Sequence, residues 1–362
     1  MQADQSPLLR QQIHHAIAAA GGWLGFDRFM ALALYAPGLG YYANSGRKFG
    51  TMPQGGSDFV TAPELSSLFG HTVAVQVAEA LERSGTDEIW EFGAGTGALA
   101  AQLLAQLGPR VRRYTIVDLS ADLRARQQSR LAAYADQVQW ADTLPAQIDG
   151  VVVGNEVLDA MPVQLLHRVG GQWHERGVVT HGDMLVWQDR PTTLRPPLEI
   201  AGSHDYLTEI HVQGQAFVRT LAAHVRRGAA LLIDYGFPES EYYHPQRAGG
   251  TVMCHQGHQA DGDPLDQVGA KDITAHVDFS GIAVAAQDAG WDVLGYTSQA
   301  RFLINCGLAQ RMQEAPLPER ATAHKLIAEH EMGELFKVLA LSKGVEPWDA
   351  VGFAAGDRSH TL

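Results

Sequence analysis

Carboxylates recur in this chain where an apolar run gives way to a turn, and each could hold a polar ligand. Glu91 stands near the end of EIWEF, two residues before the first of three alternate glycines, Gly93, Gly95 and Gly97. Asp118 ends YTIVD and is followed by Leu119; Asp142 follows QWA and precedes Thr143. Asn155, Glu156 and Asp159 come soon after VVVG. Alternate glycines let the backbone turn tightly and approach a ligand with no Cβ in the way. An acid just ahead of them can accept from an ammonium, directly or through water. A carboxylate one strand further on can accept both hydroxyls of a ribose. Asp142 could take an adenine amino group. Glu156 and Asp159 together could grip a guanidinium bidentately, and one of them could accept a proton.

Gly93-x-Gly95-x-x-Ala98 formally fits the dinucleotide fingerprint. Glu91-x-Gly93-x-Gly95-x-Gly97 fits better the loop of S-adenosylmethionine (SAM) methyltransferases, because a dinucleotide offers Glu91 no ammonium. The structural alternative is a plain turn, with Asp118 and Asp142 as helix caps. Three acids at three successive strand ends argue against it, since ligands of such sheets lie outside the carboxyl ends of the strands. SAM is therefore the expected cofactor, held by Glu91, Gly93, Gly95, Gly97, Asp118, Leu119, Asp142 and Thr143. Asn155, Glu156 and Asp159 are the expected catalytic group, presenting an acceptor nitrogen for direct displacement. Glu156 and Asp159 share a face if their segment starts a helix. Asn155 or Asp159 could then cap that helix instead.

These residues need a scaffold, and the hydrophobic pattern supplies one. Short apolar runs at 87–92, 114–118, 137–140, 151–154 and 230–236 alternate with helical spacing at 99–107, 122–134 and 211–226. That alternation predicts a parallel sheet covered on both faces. Ahead of it lie a helix over 8–20, a loop rich in Gly and Tyr over 35–64, and a helix over 65–83. Turn signals between alternating runs predict antiparallel β structure over 163–190. Residues 237–280 read as an insertion. A helix near 281–289, a strand near 291–296, helices over 298–306 and 317–331, and a last strand, FKVLALSKG, close the pattern.

The chain has 362 residues and a net charge of −13, from 27 basic and 40 acidic side chains. Such acidity argues against broad nucleic-acid binding. No stretch reaches the ~18–20 apolar residues of a membrane span. Two distant cysteines suit a reducing compartment, and no leader is evident, so a cytoplasmic location is expected. Cys254, His255 and His258 form C-H-x-x-H, too few ligands for an ordinary metal site, so no metal is expected. His276 is either a site residue or a structural histidine, and Asp234 either faces the site or caps a turn.

Several long blocks carry a family resemblance. They are GSDFVTAPELSSLFG (56–70), EFGAGTG (91–97), GNEVLDAMPV (154–163), LLIDYG (231–236), DITAHVDF (272–279), TSQARFLINCG (297–307) and MGELFKVLAL (332–341). Together they resemble the MidA-type SAM-dependent methyltransferases, whose mitochondrial member is a complex I assembly factor that methylates arginine. The family loop reads N-E-aromatic-aromatic-D-A-L/F-P-V. Asn155, Glu156, Asp159 and Pro162 match it, while Val157, Leu158 and Met161 depart from it.

The resemblance implies an α/β, Rossmann-like class I methyltransferase with a mostly parallel sheet and an antiparallel last strand at its edge. An N-terminal helical and lid region (1–85), a core (86–342) with β-rich insertions near 163–200 and 237–280, and a C-terminal tail (343–362) complete it. Thr61 and Glu64 of the TAPE block would fold over the cofactor, with Asp58 a further carboxylate nearby. The implied acceptor is a protein arginine, extending to a respiratory complex I subunit. Sequence leaves the oligomeric state open. Two rival classes are an NAD-dependent oxidoreductase and a non-catalytic assembly factor that keeps SAM as a structural ligand.

Overall fold

The computed structural model describes residues 6–43, 60–118 and 120–362. Asp58 and Leu119 lie outside the described residues. The chain opens with α1 (Ser6–Ala19), a two-residue strand β1 (Leu24–Gly25) and α2 (Phe26–Tyr35). Then come α3 (Ala62–Leu65) and α4 (Ser67–Ser84). Ser66 caps α4 by accepting from the Leu68 N–H at 3.3 Å, the usual service of a serine at that position.

The expected alternation follows: β2 (Glu88–Phe92), α5 (Ala98–Leu107), β3 (Arg113–Val117), α6 (Ala121–Arg130), β4 (Val138–Ala141) and β5 (Ile148–Asn155). Four strands, β6 (Gln164–Val169), β7 (Gln172–His181), β8 (Met184–Pro191) and β9 (Tyr206–Ile210), then build an antiparallel sheet. β1 joins this sheet along β7. Next are α7 (Val212–His224) and the long strand β10 (Val225–Phe237). The second insertion holds α8 (Glu239–Tyr242), β11 (Met253–Gln256), β12 (Gln259–Asp261), β13 (Asp272–Thr274) and β14 (Val277–Asp278). The chain closes through α9 (Phe279–Asp288), β15 (Asp292–Ser298), α10 (Gln299–Asn305), α11 (Leu308–Glu314), α12 (Leu317–Lys325) and β16 (Phe336–Lys343).

The central sheet has the order β15-β16-β10-β5-β2-β3-β4. β10, β5, β2, β3 and β4 run parallel. β16 is antiparallel to β10 on one side and to β15 on the other. The last strand is thus antiparallel as expected, but it is not the edge; β15 is. The burial of β16 explains this: Phe336 through Ser342 are all buried. A strand covered on both faces and paired on both sides reads as a mainly apolar run, here interrupted by Lys337 and Ser342.

Two apolar layers cover the sheet. Val73, Leu99, Leu103 and Phe302 pack on one face, and Val218, Leu221, Phe279 and Ile282 on the other. α4 therefore belongs to the core, not to a separate N-terminal region. A further core joins α1 and α2 (Leu9, Ile13, Phe29, Met30) to Leu165 and Val178 of the antiparallel sheet and Ile273 of the second insertion. Sequence reading separates these three segments; in space they are one body. The expected tail is also core structure, since Phe353 is buried and packs on Phe302 with ring centroids 5.6 Å apart. The expected helix over 317–331 ends at Lys325, and α11 has no counterpart in the sequence reading.

Candidate active site

The carboxyl ends of β2, β3, β5 and β10 open on one cavity of about 1200 Å³. That is spacious for a small-molecule site, where roughly 300–1,000 Å³ is usual. Glu91, Gly93, Gly95, Asp118, Thr61, Glu64, Asn155, Glu156 and Asp159 all line it.

The glycine loop follows β2 with φ of +63° at Gly93, +52° at Gly95 and +80° at Gly97. Side-chain-bearing residues rarely adopt such angles. A Cβ at Gly93 would also come within 3.1 Å of Val157 Cγ2. Gly97 does not line the cavity; it turns the chain into α5. Glu91 is buried and accepts the Tyr114 hydroxyl at 2.8 Å. Burial pushes its carboxyl up to about 8; the Tyr114 bond opposes this and Asp118 adds to it.

Gln127 holds this end together, and nothing in its local sequence announces it. Its Nε2 donates to the Gly95 carbonyl at 2.9 Å and to Asp118 Oδ2 at 2.8 Å, while its Oε1 accepts Trp140 Nε1 at 2.8 Å. One fully buried amide thus ties the loop, the β3 acid and β4. Gln127→Leu keeps similar bulk and removes all three bonds. It is expected to weaken S-adenosylhomocysteine binding by about tenfold, read by titration calorimetry, from ~1.4 kcal/mol of lost positioning. Unchanged affinity would remove Gln127 from the binding machinery.

The TAPE block reaches the same loop. Glu64 accepts from Thr96 Oγ1 and, at 2.7 Å, from Arg130 Nη1, which also donates to Thr96 Oγ1 at 2.7 Å. Asp142 behaves differently from expectation. Its side chain is 80% exposed and pairs with Arg124, and neither it nor Thr143 lines the cavity. β4 is an edge strand, and Arg124 on α6 stands beside its end. One face of α7 contributes instead: Gln213, Ala216, Phe217 and Thr220. Phe217 packs edge-on against Phe92 at 5.2 Å. Spacing places these four together, but their types carried no signal.

At the other end, residues 156–161 form an irregular loop and not a helix. Glu156 and Asp159 are brought together by a turn that begins with Glu156 at φ +54°, so neither Asn155 nor Asp159 caps a helix. Asp234 shapes the loop. Its Oδ2 accepts the N–H groups of Val157, Leu158 and Asp159 at 3.0, 2.9 and 3.2 Å, and its Oδ1 that of Tyr235 at 2.9 Å. That decides between its two possible roles in favour of the turn. Burial, then Asp159 and Glu156, push the Asp234 carboxyl well up, against the pull of the N–H groups.

Asp159 accepts the Tyr235 hydroxyl at 2.6 Å. Asn155 Nδ2 donates to Glu156 Oε1 at 2.9 Å. Burial, reinforced by Asp159, pushes Glu156 up to about 8; burial also lifts Asp159 to about 6. Asn155 Oδ1 and Asp159 Oδ1 are buried acceptors with no partner among the described residues. Buried acceptors left in this way cost roughly 1–3 kcal/mol each unless a donor arrives. His276 also lines the cavity, and burial, then Arg247 and Lys337, lowers it to about 4, so its imidazole is neutral near pH 7. His255 of the C-H-x-x-H motif reaches the cavity, and Cys254 is buried. Among the described residues no three His, Cys, Asp or Glu form a metal-holding group.

Comparison with known proteins bears on what this cavity serves. Residues 72–297, more than half of the chain, match the family Methyltransf_28, described as "Putative S-adenosyl-L-methionine-dependent methyltransferase". The chain belongs to this family. The cofactor of a family so described is SAM. A COG1565 superfamily member from Burkholderia thailandensis, solved bound to S-adenosyl-homocysteine, is 51% identical, with 99% of this chain and 97% of that one covered and a TM-score of 0.94. A second, native structure from the same organism is 49% identical over the same shares, with a TM-score of 0.89. Among curated relatives, the mitochondrial protein arginine methyltransferase NDUFAF7 homolog of Caenorhabditis elegans is 26% identical over 86% of this chain and 81% of its own length. The human NDUFAF7 protein is 26% identical over 85% and 75%. The fold is that of a class I methyltransferase, with two added β-sheets. Among the described residues no helix is long and apolar enough to cross a membrane.

The site's residues fit SAM. The glycine loop forms a cradle that a Cβ at Gly93 would crowd, Glu91 and Asp118 supply acceptors, and the cavity extends from them to Asn155, Glu156 and Asp159.

Proposed function

We propose that this protein transfers a methyl group from SAM to an arginine side chain of a protein. The observation that carries this reading is the grouping of Asn155, Glu156 and Asp159 on the wall of the cavity that the glycine loop borders, where Asn155 Oδ1 and Asp159 Oδ1 have no partner among the described residues. A guanidinium offers five donors in a planar fork and suits several acceptors held at fixed angles. The curated relatives, protein arginine methyltransferases by name, support the same acceptor.

In this reading Glu91 holds the ammonium of SAM, Asp118 its ribose, and Thr61 and Glu64 close over it. When bound, SAM supplies an electrophilic methyl group on sulfur. The chain's task is alignment and charge. Glu156 and Asp159 orient the guanidinium so that one nitrogen faces the methyl in line. Tyr235 keeps Asp159 in place, and Asp234 keeps the loop that bears both acids. Their negative charge favours the planar cation, and one of them takes the proton released after transfer. Pro63, Val60 and Leu65 cover the cofactor end with apolar surface that limits water. By resemblance to the mitochondrial family member, the acceptor protein is a subunit of respiratory complex I.

The test is transfer of radiolabelled methyl from SAM to a lysate of cells lacking this protein, followed by mass spectrometry of labelled bands. Label on arginine in a discrete protein is the expected result. Label confined to another residue type, or none at all, would overturn the proposal.

A further inference from the structure

A basic side chain stands on the wall of this acid-lined cavity, and the mechanism above does not use it. Arg247, in the second insertion, lines the cavity and is exposed. Its Cζ lies over the Phe237 ring, 3.8 Å from the centroid. Lys337 Nζ lies 5.6 Å from the same centroid, and the His276 ring 5.3 Å from it. Burial, then Arg247 and Lys337, lowers His276, so three basic groups share one corner. Among the described residues no carboxylate pairs with Arg247. Glu334, beside Lys337, pairs with Lys337 and Arg358. Asp272 also lines the cavity, but both its oxygens accept the Tyr42 hydroxyl, at 2.8 and 3.0 Å.

A guanidinium stacked on a ring face has its plane fixed and its N–H donors left at the edge. That edge fits a carboxylate bidentately. The place of Arg247 along the wall says which carboxylate. The Tyr235 ring meets His276 edge-on at 5.3 Å, and its hydroxyl reaches Asp159. Asp159 is buried and Arg247 is exposed, so Arg247 stands outward of the acids. A cationic acceptor head is drawn to Asp159 and Glu156 and repelled by Arg247. What passes Arg247 is the chain that carries the head, at ~3.3–3.6 Å per residue. There Arg247 attracts an acidic neighbour and rejects a basic one.

We propose that Arg247 binds the carboxylate of an Asp or Glu side chain one or two residues from the acceptor arginine, and so selects an acidic sequence context in the acceptor protein. This rests on the arginine reading of the site. It adds that the second insertion, not the methyltransferase core, reads the residues around the acceptor. Phe237 holds the guanidinium plane, and Lys337 and His276 supply a corner in which Arg247 has no acid of its own.

The test uses the full chain saturated with S-adenosylhomocysteine and NMR titration of capped pentapeptides centred on arginine. Each carries one Glu or one Gln at one of the four flanking positions, with alanine at the others. At low salt, Glu is expected to bind about fivefold more tightly than Gln at one flanking position or more. The net charge of −13 by itself favours Gln, so a preference for Glu marks a local contact. High salt should reduce the preference. Arg247→Gln is expected to bring it below about twofold and to leave the Gln peptides and S-adenosylhomocysteine within about twofold. Arg247→Lys, which keeps the charge without the fork, should retain part of it. Lys325→Gln removes another cation that lines the cavity and should retain all of it. Equal binding of Glu and Gln peptides at all four positions would overturn the proposal. So would full preference in Arg247→Gln, or an equal loss in Lys325→Gln. Peptides with citrulline in place of arginine separate the two readings. If they bind as tightly and still prefer Glu through Arg247, the arginine reading fails and this contact stands.

Discussion

Glu156→Gln is expected to lower methyl transfer to an arginyl acceptor by roughly 10²–10⁴-fold, the usual cost of losing a group that orients the acceptor and handles its proton. S-adenosylhomocysteine affinity should change by less than about threefold. The substitution keeps shape and the bond from Asn155 Nδ2 but removes the charge that, in the proposed function, grips a guanidinium. The pH profile provides a second readout. Both acids are raised by burial, Glu156 to about 8 and Asp159 to about 6. Each therefore holds its proton in the free protein until pH exceeds that value. The form able to bind a cation appears as pH rises, so kcat/KM should climb between about 6 and 8 and level off above. Glu156→Gln should remove the upper part of that climb. A variant with unaltered rate and profile would remove Glu156 from the chemistry.

The same shifts set a stability trend of opposite sense. A carboxyl with a folded pKa above its unfolded value binds more protons folded than unfolded across that interval. Stability from these groups is therefore greatest at low pH and declines as pH rises from the ordinary carboxyl range through 8. The site is thus least stable with both acids ionised, and under the proposed function a bound guanidinium would offset that cost.

Asp234→Ala is expected to destabilise the protein by about 3–5 kcal/mol and to abolish methyl transfer. Four backbone N–H groups converge on this one carboxylate, three from consecutive residues of the loop that bears Glu156 and Asp159. Removing it leaves them to find water or remain unpaired, at roughly 1–3 kcal/mol for each group that stays dry. The gain from no longer burying a carboxylate opposes this, which is why the expected sum is below four full penalties. Asp234→Asn keeps acceptor capacity on one oxygen and should cost about half as much. Urea unfolding measures both variants. A loss under 1 kcal/mol for Asp234→Ala would show that the loop holds its shape without this anchor.

Legibility in the sequence divided along physical lines. The glycine loop was legible because positive φ selects glycine locally, three times in five residues. The strand ends were legible because buried parallel strands are apolar runs and each stops at a polar residue. The segment of Asn155, Glu156 and Asp159 was legible as composition, but its shape was not: it is an irregular loop where the spacing suggests a helix start. Nothing local shows that Glu156 turns to φ +54°, because the reason lies in Asp234, 75–77 residues away. Asp142 looked equivalent to Asp118, yet one is tied inward by Gln127 and the other is drawn outward to Arg124. Phe217, Gln127 and Tyr35 carried no motif, and Asp272 only opened the block DITAHVDF, since each matters only through what it faces.

The sequence by itself determined the glycine-loop end of the cavity, apart from Asp142, Thr143 and Gln127. Backbone conformation, strand burial and the acids beside them are short-range matters, and a few consecutive residues suffice to specify them. At the other end the sequence picked out Asn155, Glu156 and Asp159, but tertiary structure alone decided their shape and surroundings. There Tyr42 meets Asp272 across 230 residues, and Tyr35 meets the Ala160 carbonyl across 125. Such contacts are made by the shared core of α1, α2, the antiparallel sheet and the second insertion. No periodicity reports a core assembled from segments that far apart.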